Sequence, residues 1–379
     1  MRRARLGLYI SEYSERNKMD FPLPVYSVTN SQGFCQQYFN KVIASENRSM
    51  YKVVPRGCFA YNPSRINVGS IDWQRNEERV IVSPLYVVFQ TSMEMDNQFL
   101  YYYLRSDVAL TYIKNWGQGS VRDNLKFTQL SQIPINVYPI EEQQLIAQRL
   151  DVLSKLISLR QRQAEKLDEL VKARFVEMFG DPVRNTKHWE KASLLVLGSC
   201  KNGMSFHANE SGIKLRCLGV GDFKNLSYID DVEQLPFVSL AEKPSANCFL
   251  HDGDIVFVRS NGNKALVGRC LLVYPRDTPT IYSGFCIRYR LLTEKVDPIY
   301  ALHVLKAEGI RQKMSGRGAN IQNLNQKILA AIEMPIPPLP LQNAFATFVH
   351  EVDREKERIQ RSAALLETLK RSLMQQYFG

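Results

Sequence analysis

The sequence predicts an α+β chain built as one unit twice, two mixed α/β modules separated by two long helices. Three observations carry this. The stretch LDELVKARFVEMFG, ending at Gly180, returns as LETLKRSLMQQYFG, ending at Gly379, and the offset of 199 residues holds far upstream of both. Each copy closes with a ladder of positions spaced alternately four and three, the signature of a helix seam. Between the ladders lie segments rich in β-branched and aromatic residues, broken by glycine-bearing loops.

The register of the repeat is maintained over about sixty positions without a gap, which chance does not do. Gln143 meets Gln342, Ala147 meets Ala346, Leu167 meets Leu366 and Phe179 meets Phe378. Upstream, GQGSVRDNL from Gly117 meets GRGANIQNL from Gly316, and Pro139 meets Pro338. The boundaries that follow are a first module over 1–140, a first helix over 141–180, a second module over 181–338 and a second helix over 339–379. The segments NVYPI and MPIPPLP serve as connectors into the helices, since proline suits the entry to a helix and not its interior. Gly180 and Gly379 stand where a helix stop favours glycine.

The first ladder includes Ile146, Leu150, Leu153, Ile157, Ala164, Leu167 and Val171; the second includes Phe345, Val349, Val352, Ile359, Ala363, Leu366 and Leu373. An apolar stripe ordinarily means a helix packed on its own domain. Here the first ladder runs 33 residues, roughly 50 Å at 1.5 Å per residue, longer than a domain helix needs. Two such helices are expected to pack on each other as a coiled coil. Arg160, Arg174, Lys356 and Lys370 interrupt the seam, with stems long enough to cover apolar surface while the charge reaches water.

Composition limits the function. The formal charge is +11, with a pI near 9.2, a balance that attracts polyanions and nucleic acid foremost. No apolar run approaches the ~20 residues of a membrane span. The opening MRRARLGLYISEYSERN has a basic start without an apolar core, so it reads as a solvated terminus or a phosphate-contacting arm, not a signal peptide. Together these point to a cytoplasmic protein. Seven scattered cysteines without C-x-x-C read as reduced core residues, and five distant histidines encode no zinc spacing. No G-x-S-x-G, Walker A or H-E-x-x-H is present; GVGDF reads as a turn, and YNPS matches the Asn-Pro-Pro-aromatic motif of adenine methyltransferases too poorly to count. No catalytic or metal-binding residue is therefore expected in this chain.

The polar loops are the candidate contacts. DIVFV is expected to run into an Asn-Gly hairpin tip carrying Arg259, Ser260, Asn261, Asn263 and Lys264, with ALVGR returning as the second strand. Arginine and asparagine are the side chains that grip guanine, adenine and phosphate. In the first half Gly57 aligns with Gly253, and CFAYN leads into PSRINVG with Arg65 and Asn67. A second loop pair, GQGSVRDN and GRGANIQN, adds Arg122, Asn124, Arg317 and Asn320 on glycine-rich backbone. Each loop alone reads equally as a solvated turn. One framework carrying different tips is what two readers of different sequences would need.

In this order, PVYSVTNSQGF, GSVRDNLKF, MFGDPVRNTKHWE, LHDGDIVFVRSNGNKALVGR, SGFCIRYR and PIPPLPLQNAFATFVHEVD make the whole chain resemble the specificity subunits of Type I restriction–modification enzymes. The resemblance implies two target-recognition domains, each reading half of a split double-stranded DNA target. It implies helices paired as an antiparallel coiled coil that separates the domains and docks two methyltransferase subunits, with motor-nuclease restriction subunits joining for cleavage. S-adenosylmethionine and the adenine-N6 transfer site would belong to the methyltransferase partners, leaving this chain without a cofactor. The first helix starts Glu141-Glu142-Gln143 and the second Pro340-Leu341-Gln342, so the two docking surfaces are expected to differ in strength. Two other classes stay open on the residues: a coiled-coil adaptor that binds protein only, and a self-sufficient DNA methyltransferase.

Overall fold

The computed structural model describes residues 2–36, 48–117, 124–206, 211–223, 227–315 and 323–379. It is α+β and divides into two compact units: unit 1 comprises Met1–Gln163 and Arg358–Gly379, unit 2 Ala164–Glu357.

In unit 1, strand β1 (Arg2–Arg5) opens the chain, followed by β2 (Ile10–Glu12), β3 (Phe59–Tyr61), β4 (Ile71–Trp73), β5 (Val87–Thr91), helix α1 (Asn97–Leu104) and β6 (Pro134–Val137). The sheet order is β2-β5-β3-β4, and its helix-facing side chains, among them Phe59, Tyr61 and Phe89, pack in one core with Phe99, Leu100 and Tyr103 of α1. The Arg-rich opening is not a free arm: β1 pairs antiparallel with β6, Arg3 opposite Asn136.

The chain then enters α2 (Ile140–Phe179). Unit 2 repeats the same parts: β7 (Lys191–Ser193), β8 (Gly198–Asn202), β9 (Tyr228–Ile229), β10 (Asp254–Val258), β11 (Cys270–Val273), β12 (Cys286–Leu291), helix α3 (Pro298–Lys306), β13 (Glu333–Pro335) and α4 (Leu339–Phe378). Its main sheet runs β8-β12-β10-β11-β9, the order of unit 1 with β9 added in parallel on β11. Gly57 and Gly253 both adopt left-handed backbone, φ +87° and +82°, at the turns that lead into β3 and β10. A Cβ is disfavoured there, so the glycines mark the same turn in both units.

The most exact correspondence lies in a pair of glutamines. Gln143 in α2 and Gln342 in α4 are both fully buried. The side-chain oxygen of Gln143 accepts from the Asp96 N–H at 2.9 Å, and its amide donates to the carbonyls of Glu94 and Tyr138. Gln342 accepts from the Asp297 N–H at 2.9 Å and donates to Lys295 and Pro337. Asp96 and Asp297 in turn cap α1 and α3. Each glutamine thus ties the start of a long helix to the capped start of a domain helix, satisfying three backbone groups that would be costly to leave unpaired.

Each unit holds one end of each long helix, and within each the two run antiparallel. In unit 1, Arg149 donates to the Tyr377 hydroxyl at 3.1 Å, while Ile157, further along α2, shares a small cleft with Lys370. In unit 2, Phe179 and Phe345 meet edge to face at 5.4 Å, and Lys356 bonds Asp168 at 2.5 Å. Ile146, Leu150, Leu153, Val171, Phe345, Val349, Val352 and Ile359 of the ladders are buried, and Leu167 and Leu366 half-buried. The outer rungs do more than pair helices. Ile146 and Leu150 enter the core of unit 1, and Val349 and Val352 that of unit 2. Phe175 and Phe179, off the expected ladder, join the second core because a helix seated on a domain buries a wider face than a coiled-coil seam.

The four interrupting charges are accommodated locally. Arg160 donates to Gln163, Arg174 pairs with Glu177 and lies over Phe348, and Lys356 has Asp168. Lys370 lies over the ring of Tyr102, and burial holds its ammonium below the ordinary lysine range.

One difference between the units has a pH consequence. Asp96 and Asp297 hold equivalent caps, so His303 of α3 occupies the position of Tyr102 in α1. His303 sits among Phe175 and Phe345, and desolvation by burial pushes its imidazole down to about 3. An unfolded histidine takes a proton below about 6.5, whereas this one, depressed when folded, does not. Unit 2 should therefore lose up to about 1.4 kcal/mol per pH unit as pH falls from about 6.5 toward about 3. His303→Phe removes that linkage. Thermal unfolding of the two proteins from pH 7 to pH 5 should show the variant gaining on the wild type, and parallel curves would refute the assignment.

Candidate nucleic-acid interface

In unit 2 the loop after β10 is wider than a two-residue hairpin. The returning strand is β11, starting at Cys270, with Phe257 opposite Cys270. ALVGR is not a strand: a short 3-10 turn over Lys264–Leu266 occupies it, and Gly262 does not take the left-handed backbone that an Asn-Gly hairpin needs. The asparagines account for the difference. Asn261 Oδ1 accepts from the Asn263 N–H at 2.8 Å, and Asn263 Oδ1 caps the 3-10 turn by accepting from Ala265 at 3.0 Å. Arg311 donates to the Ala265 carbonyl, fastening the loop to the domain.

The sequence-predicted residues of this loop are brought together, with differing exposure. Asn263 and Lys264 are exposed; Arg259, Ser260 and Asn261 are half-buried. The Arg259 guanidinium reaches the Gly284 carbonyl at 3.3 Å, and the backbone N–H groups of Arg259 and Ser260 both donate to the Phe285 carbonyl. Ser260 forms a β-bridge with Asn323, and Leu324 donates to the Arg259 carbonyl at 2.8 Å. Three segments distant in sequence, 259–264, 283–286 and 323–324, thus share one surface.

Unit 1 repeats the arrangement with other side chains. After β3, Asn62 Oδ1 accepts from the backbone and hydroxyl of Ser64, turning the chain into the 3-10 segment Ile66–Val68. Ile66 is buried and anchors the loop, Arg65 is exposed and Asn67 half-buried. Arg105 fixes the far end by donating to the carbonyls of Gly69 and Asn30. Leu125 donates to the Pro63 carbonyl at 3.1 Å, as Leu324 does to Arg259, which brings exposed Asn124 beside the loop. Arg122, Arg317 and Asn320 lie outside the described residues.

The turn between residues 283 and 286 lies in SGFCIRYR, a stretch that carries the family resemblance without marking a contact. The sequence signal for the turn itself is a serine two residues before a large apolar residue, repeated as Ser83-Pro84-Leu85 and Ser283-Gly284-Phe285. Among the described residues no group of His, Cys, Asp and Glu is arranged to hold a metal ion, and no helix is long and apolar enough to cross a membrane.

The model of the Type I restriction modification DNA specificity domain matches this chain twice, over residues 11–169 and 193–367. The chain is 23% identical over 301 residues to the specificity subunit of the Type I restriction enzyme EcoKI of Escherichia coli (strain K12), covering 74% of this chain and 64% of that protein. It is 25% identical over 311 residues to the MjaVIII specificity subunit of Methanocaldococcus jannaschii, covering 75% of this chain and 71% of the relative. The match thus spans slightly less than two thirds of the E. coli relative. Among solved structures, a chain from a study of complex assembly and conformational transition of the type I R-M system superposes with a TM-score of 0.63 at 16% identity, covering 99% of this chain and 97% of that one. The S subunit of a Type-I restriction-modification system from M. genitalium gives 0.55 at 15% identity, covering 100% and 96%. The fold is shared with both.

Proposed function

Because the chain belongs to the family of Type I restriction modification DNA specificity domains, we propose that it is the sequence-reading subunit of a restriction–modification complex, each unit reading one half of a bipartite double-stranded DNA target. The observation that carries this is the loop surface found twice on one framework with different residues: Arg65, Asn67 and Asn124 in unit 1, and Arg259, Ser260, Asn261, Asn263 and Lys264 in unit 2. Equal frameworks with unequal tips suit two different half-sites, and the net positive charge suits a polyanion.

In this reading the chain is non-catalytic and cytoplasmic. Two methyltransferase subunits dock on the long helices, bring S-adenosylmethionine and perform adenine methylation, and restriction subunits join them for cleavage. Support for docking comes from a second apolar stripe on α2, Leu145, Val152, Leu156 and Leu159, which is exposed beside the seam. Apolar surface at helical spacing outside a packed face is what a partner helix would cover.

Arg259→Ala should weaken recognition of one half-site alone, by about 1–3 kcal/mol for a lost base contact. Sequencing methylated adenines in a host carrying the variant with its partner genes reads this directly. Relaxation of both half-sites together would refute the assignment of one unit to one half.

A further inference from the structure

We propose that Leu85 and Phe285 are apolar wedges, each pressing against a base step in the half-site read by its own unit. This rests on the DNA-reading function above and assigns it two residues outside the polar loops. The equivalence of the two positions follows from strand register. Gly57 and Gly253 mark the same turn, so Phe59 corresponds to Ile255. Phe59 pairs with Phe89, and Ile255 with Tyr289. Counting back along β5 and β12 makes Leu85 the counterpart of Phe285 and Ser83 that of Ser283.

The turns agree in their bonds as well. In unit 1, Tyr86 N–H donates to the Ser83 carbonyl at 3.0 Å and Leu85 N–H to the Ser83 hydroxyl at 3.5 Å. In unit 2, Cys286 N–H donates to the Ser283 carbonyl at 2.8 Å and Phe285 N–H to the Ser283 hydroxyl at 3.2 Å. The turn holds the middle side chain outward: Leu85 is 77% exposed and Phe285 62%.

A single exposed apolar residue on a protein surface needs no explanation. Here the same turn presents one in both units while the flanking residue changes from proline to glycine. Each tip also borders the polar loop of its unit. Register continued past Tyr61–Val87 sets Leu85 beside Pro63, and continued past Phe257–Ile287 it sets Phe285 beside Arg259, whose N–H and guanidinium both bond the 284–285 backbone. An apolar tip bordering a loop that carries arginine, serine and asparagine matches the way leucine and phenylalanine wedges enter base steps while neighbouring polar groups hold the phosphates. A protein-docking patch would instead gather several apolar residues on one face.

The test uses the full chain in complex with its methyltransferase subunits, and a duplex carrying the bipartite site identified by sequencing methylated adenines. Phe285→Ala should weaken binding about tenfold or more, as loss of an aromatic–base contact does. Phe285→Trp should retain it. The slope of log affinity against log salt should stay unchanged, because no charge is removed. With 2-aminopurine moved stepwise through the half-site, the wild-type complex should brighten one step that the alanine variant leaves dark, and Leu85→Ala should do the same in the other half. Unchanged affinity in both alanine variants, or no step that brightens, would overturn the proposal. So would loss of methyltransferase subunits on purification of the variants, which would make the tips protein contacts. A wild-type complex that binds and methylates no duplex would remove the DNA-reading function itself, a result distinct from all of these.

Discussion

Phe378→Ala is expected to destabilise unit 1 by about 3–5 kcal/mol, the range for emptying an aromatic site in a closed core. The residue lies in the last turn of α4, where helices commonly fray. Phe378 is nevertheless buried, meeting Phe99 edge to face at 5.3 Å and Tyr103 at 5.7 Å, in the same core as Ile146 and Leu150. Phe179 does the same in unit 2 against Tyr300 at 4.7 Å. The repeated aromatic-glycine ending therefore plugs each domain with the last turn of a helix. In unit 2, Gly180 follows with φ +77°, a conformation suited to glycine where the helix stops. Calorimetry should place the unit 1 transition roughly 10 °C lower in the variant. Leu365→Ala, exposed on the same helix, should stay within about 0.5 kcal/mol of wild type. A loss below about 1 kcal/mol for Phe378→Ala would contradict the packing described.

Arg290→Met should cost unit 2 a similar amount, through charge instead of volume. Arg290 grips Asp254 with two parallel bonds of 2.7 Å and also donates to the Phe249 carbonyl at 3.0 Å. Asp254 is 1% exposed, and its second oxygen accepts from the His251 N–H. Removing the guanidinium strands a carboxylate in the core, typically worth about 3–5 kcal/mol. Pairing the change with Asp254→Asn removes the stranded charge, so the double variant should recover part of the loss in chemical denaturation. If the double variant were as unstable as the sum of both single changes, the pair would not be acting as a pair. Asp254 begins β10, which ends at Val258 immediately before Arg259, so this ion pair also sets the base of the loop over Arg259–Lys264.

The repeat and the two helices were legible because their signals are local or periodic. A register of 199 residues, a four-three ladder and proline-bearing connectors survive without any knowledge of what packs against what. Gln143 and Gln342 were visible as a matched pair, though not as buried clamps, since two of the three partners of each lie 45–49 residues away. The tight hairpin expected after β10 does not form, for a related reason. Asn-Gly favours a tight turn, but Asn261 and Asn263 spend their side chains on the loop itself, and a bond from Arg311 holds that loop open. Tertiary context outweighed a local propensity.

The sequence by itself determined the α+β class, the duplication, the helices and the polar character of two loops, because each depends on residue type and spacing along one segment. Tertiary structure alone decided which segments meet: that 259–264, 283–286 and 323–324 form one surface, that Phe378 closes a core begun by Leu6, and that Leu85 and Phe285 stand outward at matching turns. Those are consequences of strand register and core closure. They relate residues tens to hundreds of positions apart, and periodicity along a chain carries no information about such pairs.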